Sequence, residues 1–281
     1  MNQKAKALLK ALLSNSENAF ELTRFLPSES AEEIQALPTP QNYEAVSLLS
    51  PTAWSQPIHF SWLAQLFQDY PEQVQYLFMG ALSYTQAKGI QQMLSLQRDP
   101  LTVSPFLRPY LLFVLRHSLQ ELDLLSEELL PPSPLNILLK LDRKHLFHMA
   151  DLLGIHDLAA DLRQVVDREL LRKIYNALSE GQLRFLQYSS KQPIKWVSAK
   201  IALQAWDGSK KQLNHLLHHR GLIRMAKAIS QEDASFKWHL LHRLDTGRAK
   251  VIQKELYGKQ DPALVPYFKN QLLHIAKRYP Q

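Results

Sequence analysis

Cysteine is absent from this chain, which excludes a disulfide framework, a thiol nucleophile and every thiolate-held metal centre. A reducing compartment is compatible with that absence. Glycine is scarce, 8 residues in 281, and turn-rich β architectures need it in their hairpins. Long stretches of Leu, Ala, Gln, Lys, Arg and Glu occupy the chain instead, and these side chains lose little on entering a helix. The most apolar stretch, Tyr110–Leu115, is closed by Arg116 and His117, far short of the ~20 residues of a membrane span. At the start, a basic segment leads into an apolar run that ends at Leu13 and is followed by Ser14, Asn15, Ser16 and Glu17. That reads as an amphipathic first helix rather than a secretory leader.

Motifs of catalysis are missing too. Asp207-Gly208-Ser209-Lys210-Lys211 lacks the leading glycine and the spacing of a phosphate-binding loop and reads as a turn. No Gly-x-Ser-x-Gly elbow occurs, so nothing points to a strand-borne nucleophile. His215, His218 and His219, with His239 and His242 further on, include i,i+3 and i,i+4 spacings that place two imidazoles on one helix face. With no Glu between them and no cysteine, they read as solvated or partner-facing histidines. The expectation is a protein with no enzyme activity, no cofactor and no metal.

What is present is an ordinary soluble balance, 46% apolar and 21% charged, which argues against disorder or a fibrous class. The net charge of +7 is unevenly spread. Residues 1–140 hold 9 Lys/Arg against 13 Asp/Glu, a net −4, and residues 141–281 hold 24 against 13, a net +11. Such asymmetry suggests that the two halves face different partners or each other.

Proline punctuates the chain, since each one stops or kinks a helix. Pro100, Pro105, Pro109, Pro131, Pro132 and Pro134 cluster together. They delimit a connector, 99–134, containing one apolar helix over Tyr110–Leu125. It separates an N-terminal helical domain, 1–98, from a C-terminal one, 135–281.

The C-terminal part carries an internal repeat. An offset of 67 pairs Gly154 with Gly221, Ile155 with Leu222, Leu158 with Met225, Ala159 with Ala226, Leu162 with Ile229 and Ile174 with Leu241. After one deletion, an offset of 66 pairs Leu178 with Leu244, Gly181 with Gly247, Phe185 with Val251 and Leu186 with Ile252. Each copy reads as three helices, with apolar residues at the spacing of one face. Ser179 with Gln182, and Ser230 with Asp233, have the spacing of helix-start caps. A looser match relates Phe25–Leu37 to Leu82–Leu94. Such units cannot bury their apolar faces alone. The predicted fold is therefore all-α: stacked helix pairs and triplets of an armadillo-like kind, elongated and in two parts. Trp54, Trp62, Tyr76, Phe78, Trp196, Trp206 and Trp238 fall at apolar helical positions and read as core rather than as stacking platforms for bases.

Two stretches bring a family into view. Asp69-Tyr70-Pro71-Glu72-Gln73, with the Leu-rich segment that follows to Leu94, resembles the middle domain of the bacterial flagellar motor-switch protein FliG. Leu141–Leu146, Leu158–Arg163 and Leu171–Ser179 are similar to the C-terminal, torque-bearing domain of the same family. The two matches stand in the family's order and span about two thirds of the chain. There are departures. Glu72 intervenes before Gln73, and where the family's last torque helix presents an Arg and two acids this chain has Gly181, Tyr188 and Ser189. Only the basic position at Arg163 is kept, and the second copy has Ser230 there.

The resemblance implies a scaffold, and the departures argue against a torque-generating role while leaving the scaffold role intact. It would be an adaptor linking a membrane-ring component to cytoplasmic components of a flagellar or type III secretion apparatus. Its place would be the bacterial cytoplasm, at the cytoplasmic face of the inner membrane, with membrane association through partners and oligomers formed by repeat stacking. The acidic part would dock through Asp69, Tyr70, Pro71, Glu72 and Gln73, and the basic part through Arg163, Arg220 and Arg224. A competing expectation is nucleic-acid binding. It would use Arg220, Arg224, Lys227, Lys237, Arg243, Arg248, Lys250 and Lys254, provided these cations share one face.

Overall fold

A computed structural model describes residues 3–14, 23–37, 54–119, 124–192, 203, 206–258 and 261–279. Among these residues every regular element is helical, as the glycine-poor composition requires. The helices are α1 (Gln3–Ser14), α2 (Ser28–Ala36), α3 (Phe60–Phe67), α4 (Glu72–Ala81), α5 (Tyr84–Leu94) and α6 (Leu107–Leu119), then α7 (Arg143–Leu162), α8 (Arg168–Ala177), α9 (Glu180–Ser190), α10 (Lys210–Ile229), α11 (Ala234–Arg243), α12 (Thr246–Leu256) and α13 (Val265–Ala276). Short 3-10 segments lie at Glu127–Leu129, Pro134–Lys140 and Pro262–Leu264. The chain divides into two compact units, one of residues 1–133 with 232–246, the other of 134–231 with 247–281.

In the first unit α3 packs on α5, α4 on α6 and α1 on α2. Side-chain caps set where these helices begin. Ser83 and Gln86 form a reciprocal capping box at the head of α5, satisfying two amides that a helix start leaves free. Gln86 is buried, and its amide nitrogen donates to the carbonyls of Ser55 (2.6 Å) and Ile58 (2.9 Å). The core gathers Ile58, Leu63, Phe67, Tyr76, Met79, Ile90, Leu112 and Leu115, with Trp54, Trp62 and Trp238 packed against it. The segment following Leu96 crosses α4 at Gly80, where an added Cβ would stand 1.9 Å from the Leu101 carbonyl oxygen. No other residue fits that crossing.

The segment 232–246 is built into this unit by its backbone as well as its side chains. His59 N–H donates to the His242 carbonyl (2.7 Å), Trp62 Nε1 to the Leu244 carbonyl (2.9 Å) and Thr246 N–H to Ser61 Oγ (3.0 Å). Ser235 Oγ accepts from Leu125 N–H at 3.1 Å, and Arg243 pairs with Glu127 at 2.7 Å. Helix α11 thus belongs to the first unit, although its sequence belongs to the second repeat copy.

The second unit is organised on α7 and α10, which are in contact along much of their length, with α9 against α7 and α13 against α10. The repeat explains the arrangement. Helices α7 and α10 are both 20 residues long, α8 and α11 both 10, and α9 and α12 both 11. An offset of 67 carries α7 onto α10, and 66 carries α8 onto α11 and α9 onto α12. The deletion therefore falls in the loop before α8 and α11. Ile174 corresponds to Leu240, not to Leu241, and both Ile174 and Leu240 are fully buried.

Glycine permits the close packing of α7 on α10. A Cβ on Gly154 would lie 1.9 Å from the Leu217 carbonyl oxygen, and one on Gly221 would lie 1.6 Å from that of Ala150. Since 150 and 217 are themselves equivalent positions, these are one contact made twice. Asp151 meets His218, and Asp157 meets Arg224, again at equivalent positions. The contacts ascend together along both helices, so the two run parallel about a local two-fold.

Some local expectations shift. The connector helix starts at Leu107, three residues before Tyr110, with Pro109 tolerated in its first turn; residues 120–123 of its expected extent lie outside the described set. Ser230 closes α10, while the residue that caps α11 is Asp233, accepting from Ser235 N–H at 2.7 Å. Gly208 adopts φ +84° in the turn ahead of Ser209, the N-cap of α10. Tyr76, Phe78 and Trp206 are buried and Trp54, Trp62 and Trp238 half-buried, while Trp196 lies outside the described residues.

Candidate partner-binding surfaces

Asp69, Tyr70, Pro71, Glu72 and Gln73 form the turn from α3 into α4 in the first unit. Pro71 holds φ −55° and ψ 145° just ahead of α4, a position where its missing N–H costs nothing. Gln75, a residue the sequence reading passed over, closes the turn by donating to the Phe67 carbonyl (2.9 Å) and the Tyr70 carbonyl (2.8 Å). Tyr70 packs its ring against Phe78 at 5.5 Å, and Glu72 accepts from the Tyr76 hydroxyl at 2.9 Å. Asp69, Pro71, Glu72 and Gln73 are exposed, so the turn is rigidly held and presents mainly acid and amide groups.

The three arginines singled out in the basic half have different surroundings. Arg163, exposed at the end of α7, donates to the Ser190 carbonyl and to that of Gln192 (3.3 Å), tying α7 to the end of α9. Arg220 and Arg224 converge on one carboxylate: Arg220 Nε donates to Asp157 Oδ2 and Arg224 Nε to Asp157 Oδ1, both at 2.8 Å. Arg224 is only 2% exposed, donates further to Gln271 Oε1 at 2.6 Å and lies 5.4 Å from the centre of the Phe268 ring. It is an interior group, since a buried guanidinium must be paired and hydrogen-bonded.

Three further cations of the basic patch are also engaged within the chain. Lys227 pairs with Glu255 at 3.5 Å, and Arg243 with Glu127. Arg248 lies 4.0 Å over the Phe147 ring, and its Nε donates to His218 Nε2 at 2.8 Å. Because that nitrogen accepts, His218 must carry its proton on Nδ1, which donates to Asp151 at 2.7 Å. Lys250 and Lys254 are exposed on α12. Sequence counting could not anticipate this, because a net charge does not say which cations face an acid of the same chain.

Two histidines are held neutral. His156, against Phe185, has its pKa pushed down to about 3 by burial first and then by Arg224, His274 and Arg278. His242 is pushed down to about 4 by burial, partly offset by its bond to the Trp238 carbonyl. Among the described residues no group of three or more His, Asp or Glu is placed to hold a metal ion.

A surface that the sequence reading missed lies on α6. Leu111, Leu112 and Leu115 face the core, while Phe106, Tyr110 and Phe113 on the other side are 93%, 62% and 55% exposed. These three recur at i, i+4 and i+7, and His117 continues the row with its ring 4.1 Å from that of Phe113. Helix α6 holds Arg108, Arg116 and His117 and no acid. Arg108 is anchored through Nε to the last carbonyl of α4, Ala81, at 3.0 Å. The spacing signal was present, but an apolar connector helix looks the same whether one face or both are covered. Contiguous exposed aromatics of this kind mark interaction sites.

Among the described residues the regular structure is all helical, and α7 to α9 match α10 to α12 in length. No family model, no curated protein and no solved structure matches the chain. Among the described residues no helix is long and apolar enough to cross a membrane.

Proposed function

We propose that this chain is a non-enzymatic, armadillo-like helical adaptor of the FliG kind. It would link a membrane-ring component to cytoplasmic components of a flagellar or type III secretion apparatus in the bacterial cytoplasm. The observation that carries the reading is the exposed pair Tyr110 and Phe113 on α6, with Phe106 exposed in the turn just before it. Aromatic side chains at helical spacing are the groups that anchor a partner helix. The matched helix triplets support the repeat reading, and the held turn Asp69–Gln73 supplies a second, acidic contact. Nucleic-acid binding through the basic half has less support, because Arg220, Arg224, Lys227, Arg243 and Arg248 are engaged within the chain.

The test is affinity recovery of the tagged chain from its own cells with mass spectrometry, with and without nuclease. A Tyr110→Glu/Phe113→Glu variant is run in parallel, and both of its positions are exposed, so folding is spared. Basal-body or secretion-ring components should be recovered in both nuclease conditions and lost from the variant. Nuclease-sensitive recovery of ribosomal or DNA-associated proteins would sink the adaptor reading.

A further inference from the structure

Within the second unit a cleft of 480 Å³ opens between α7, α9 and the residues following α13. One face of α9 supplies Gly181, Arg184 and Tyr188, while His148 comes from α7 and Arg278 and Tyr279 from beyond α13. Arg278 lies by two rings, its guanidinium carbon 5.1 Å from the centre of Phe185 and 5.5 Å from that of Tyr188, and one of its nitrogens reaches His274 Nε2 at 3.0 Å. Tyr188 stacks on His274 at 5.0 Å with the planes 5° apart. Arg184 pairs with Glu180 at 2.8 Å, but both side chains are largely exposed, 72% and 84%, so that pair is weak and easily exchanged for another carboxylate. At Gly181, in the first turn of α9, the space where a side chain would stand contains no atom within 4 Å.

The cations outnumber the acids at the cleft: Arg184 and Arg278 line it and Lys277 adjoins Arg278, against Glu180, paired with Arg184, and Asp151, close enough to act on Tyr279. The rest of the wall is Leu152, Gly181 and the rings of His148, Phe185, Tyr188 and Tyr279. Tyr279 is half-buried with its ring 4.5 Å from that of His145, and burial pushes its pKa up to about 12. An open cleft of this size is too large for a free ion and too exposed to enclose a small molecule, which pockets normally bury by 70–90%. Paired guanidiniums beside rings suit a carboxylate next to an apolar group.

We propose that this cleft receives an acidic peptide segment of a partner protein, its carboxylate between Arg184 and Arg278 and a neighbouring apolar side chain against Tyr188 and Tyr279. This assignment rests on the adaptor reading and gives the second unit its own partner chemistry.

The experiment is fluorescence anisotropy of the full chain with a labelled synthetic peptide alternating Glu and Phe, beside a Lys and Phe peptide and a labelled ATP. The acidic peptide should bind at micromolar concentrations and the basic one should not. Gly181→Trp, whose Cβ would have no other atom within 4 Å, places an indole at the cleft and should weaken binding by at least about tenfold. Arg184→Glu should do the same from an exposed position. Equal binding of both peptides, no binding of the acidic peptide, indifference to these substitutions, or preferential binding of ATP would each overturn the proposal. Loss of the acidic-peptide signal alone, with ring components still recovered through α6, would defeat the cleft assignment and leave the adaptor reading standing. Binding blocked by Gly181→Trp, without recovery of ring components, would uphold the cleft and sink the adaptor.

Discussion

The two helix triplets began from one pattern and have been put to different uses. Helices α7, α8 and α9 match α10, α11 and α12 in length, so register and caps are shared. Yet α8 buries only Ile174 and Ala177, whereas α11 buries Ser235, Phe236, Leu240, Leu241 and His242 and is built into the first unit. The shared apolar positions determine helix length, and the extra apolar and aromatic residues on a second face determine which unit a helix joins. On the local two-fold, equivalent positions have diverged into complementary pairs, Asp157 with Arg224 and Asp151 with His218. Identical charges there would repel; opposite ones hold the two copies in register.

This comparison can be broken most forcefully at equivalent positions of α8 and α11. Phe236→Ala should cost about 3–5 kcal/mol, the usual range for emptying a buried aromatic site, because Phe236 is 1% exposed. Its counterpart Leu170 is half-buried, and Leu170→Ala should cost about 1 kcal/mol. Urea unfolding of both variants measures the difference, and equal costs would mean that the two helices are packed alike.

A smaller effect tests the symmetry of α7 and α10. Gly154→Ala and Gly221→Ala each place a Cβ against backbone of the facing helix, so each should cost about 1–3 kcal/mol through forced separation. Thermal melts of the two variants should shift by similar amounts. If one were tolerated, the repeated contact would not be one contact made twice.

The smallest effect is in the pH dependence. His156 corresponds to Ile223 and His242 to Asn176, so in each case only one copy buries an imidazole. Both pKa values lie below the ordinary 6.5 in the folded chain, near 3 and near 4. The unfolded chain therefore binds the extra proton first as pH falls. The stability is fully present above pH 6.5 and is lost on acidification, down to about pH 3 for His156 and about pH 4 for His242, at about 1.4 kcal/mol per pH unit for each. Urea midpoints between pH 7 and pH 5 should fall less in His156→Ile and in His242→Asn than in the parent chain.

Much of the helical organisation was legible in the sequence. Apolar spacing, capping residues and the near-absence of glycine all act within a turn or two of the chain, so α7 through α12 could be outlined from the repeat alone. The misplaced deletion had a local cause as well: a one-residue shift between Leu240 and Leu241 leaves an apolar residue on either alignment, and only burial separates them. The candidate surfaces were less legible. Arg224 reads as a surface cation until Asp157 is found facing it, and α6 reads as an apolar helix until one of its faces is found uncovered.

The sequence by itself determined the all-helical character, the lengths of the repeated helices and where their caps fall, because these follow from backbone propensity and near-neighbour hydrogen bonds. Only the tertiary structure decided that α11 joins the first unit, that most of the basic patch pairs internally, and that Phe106, Tyr110 and Phe113 remain exposed. Those outcomes depend on contacts between residues as much as 185 positions apart, such as Ser61 with Thr246, and no periodicity in the chain encodes which distant group a side chain will meet.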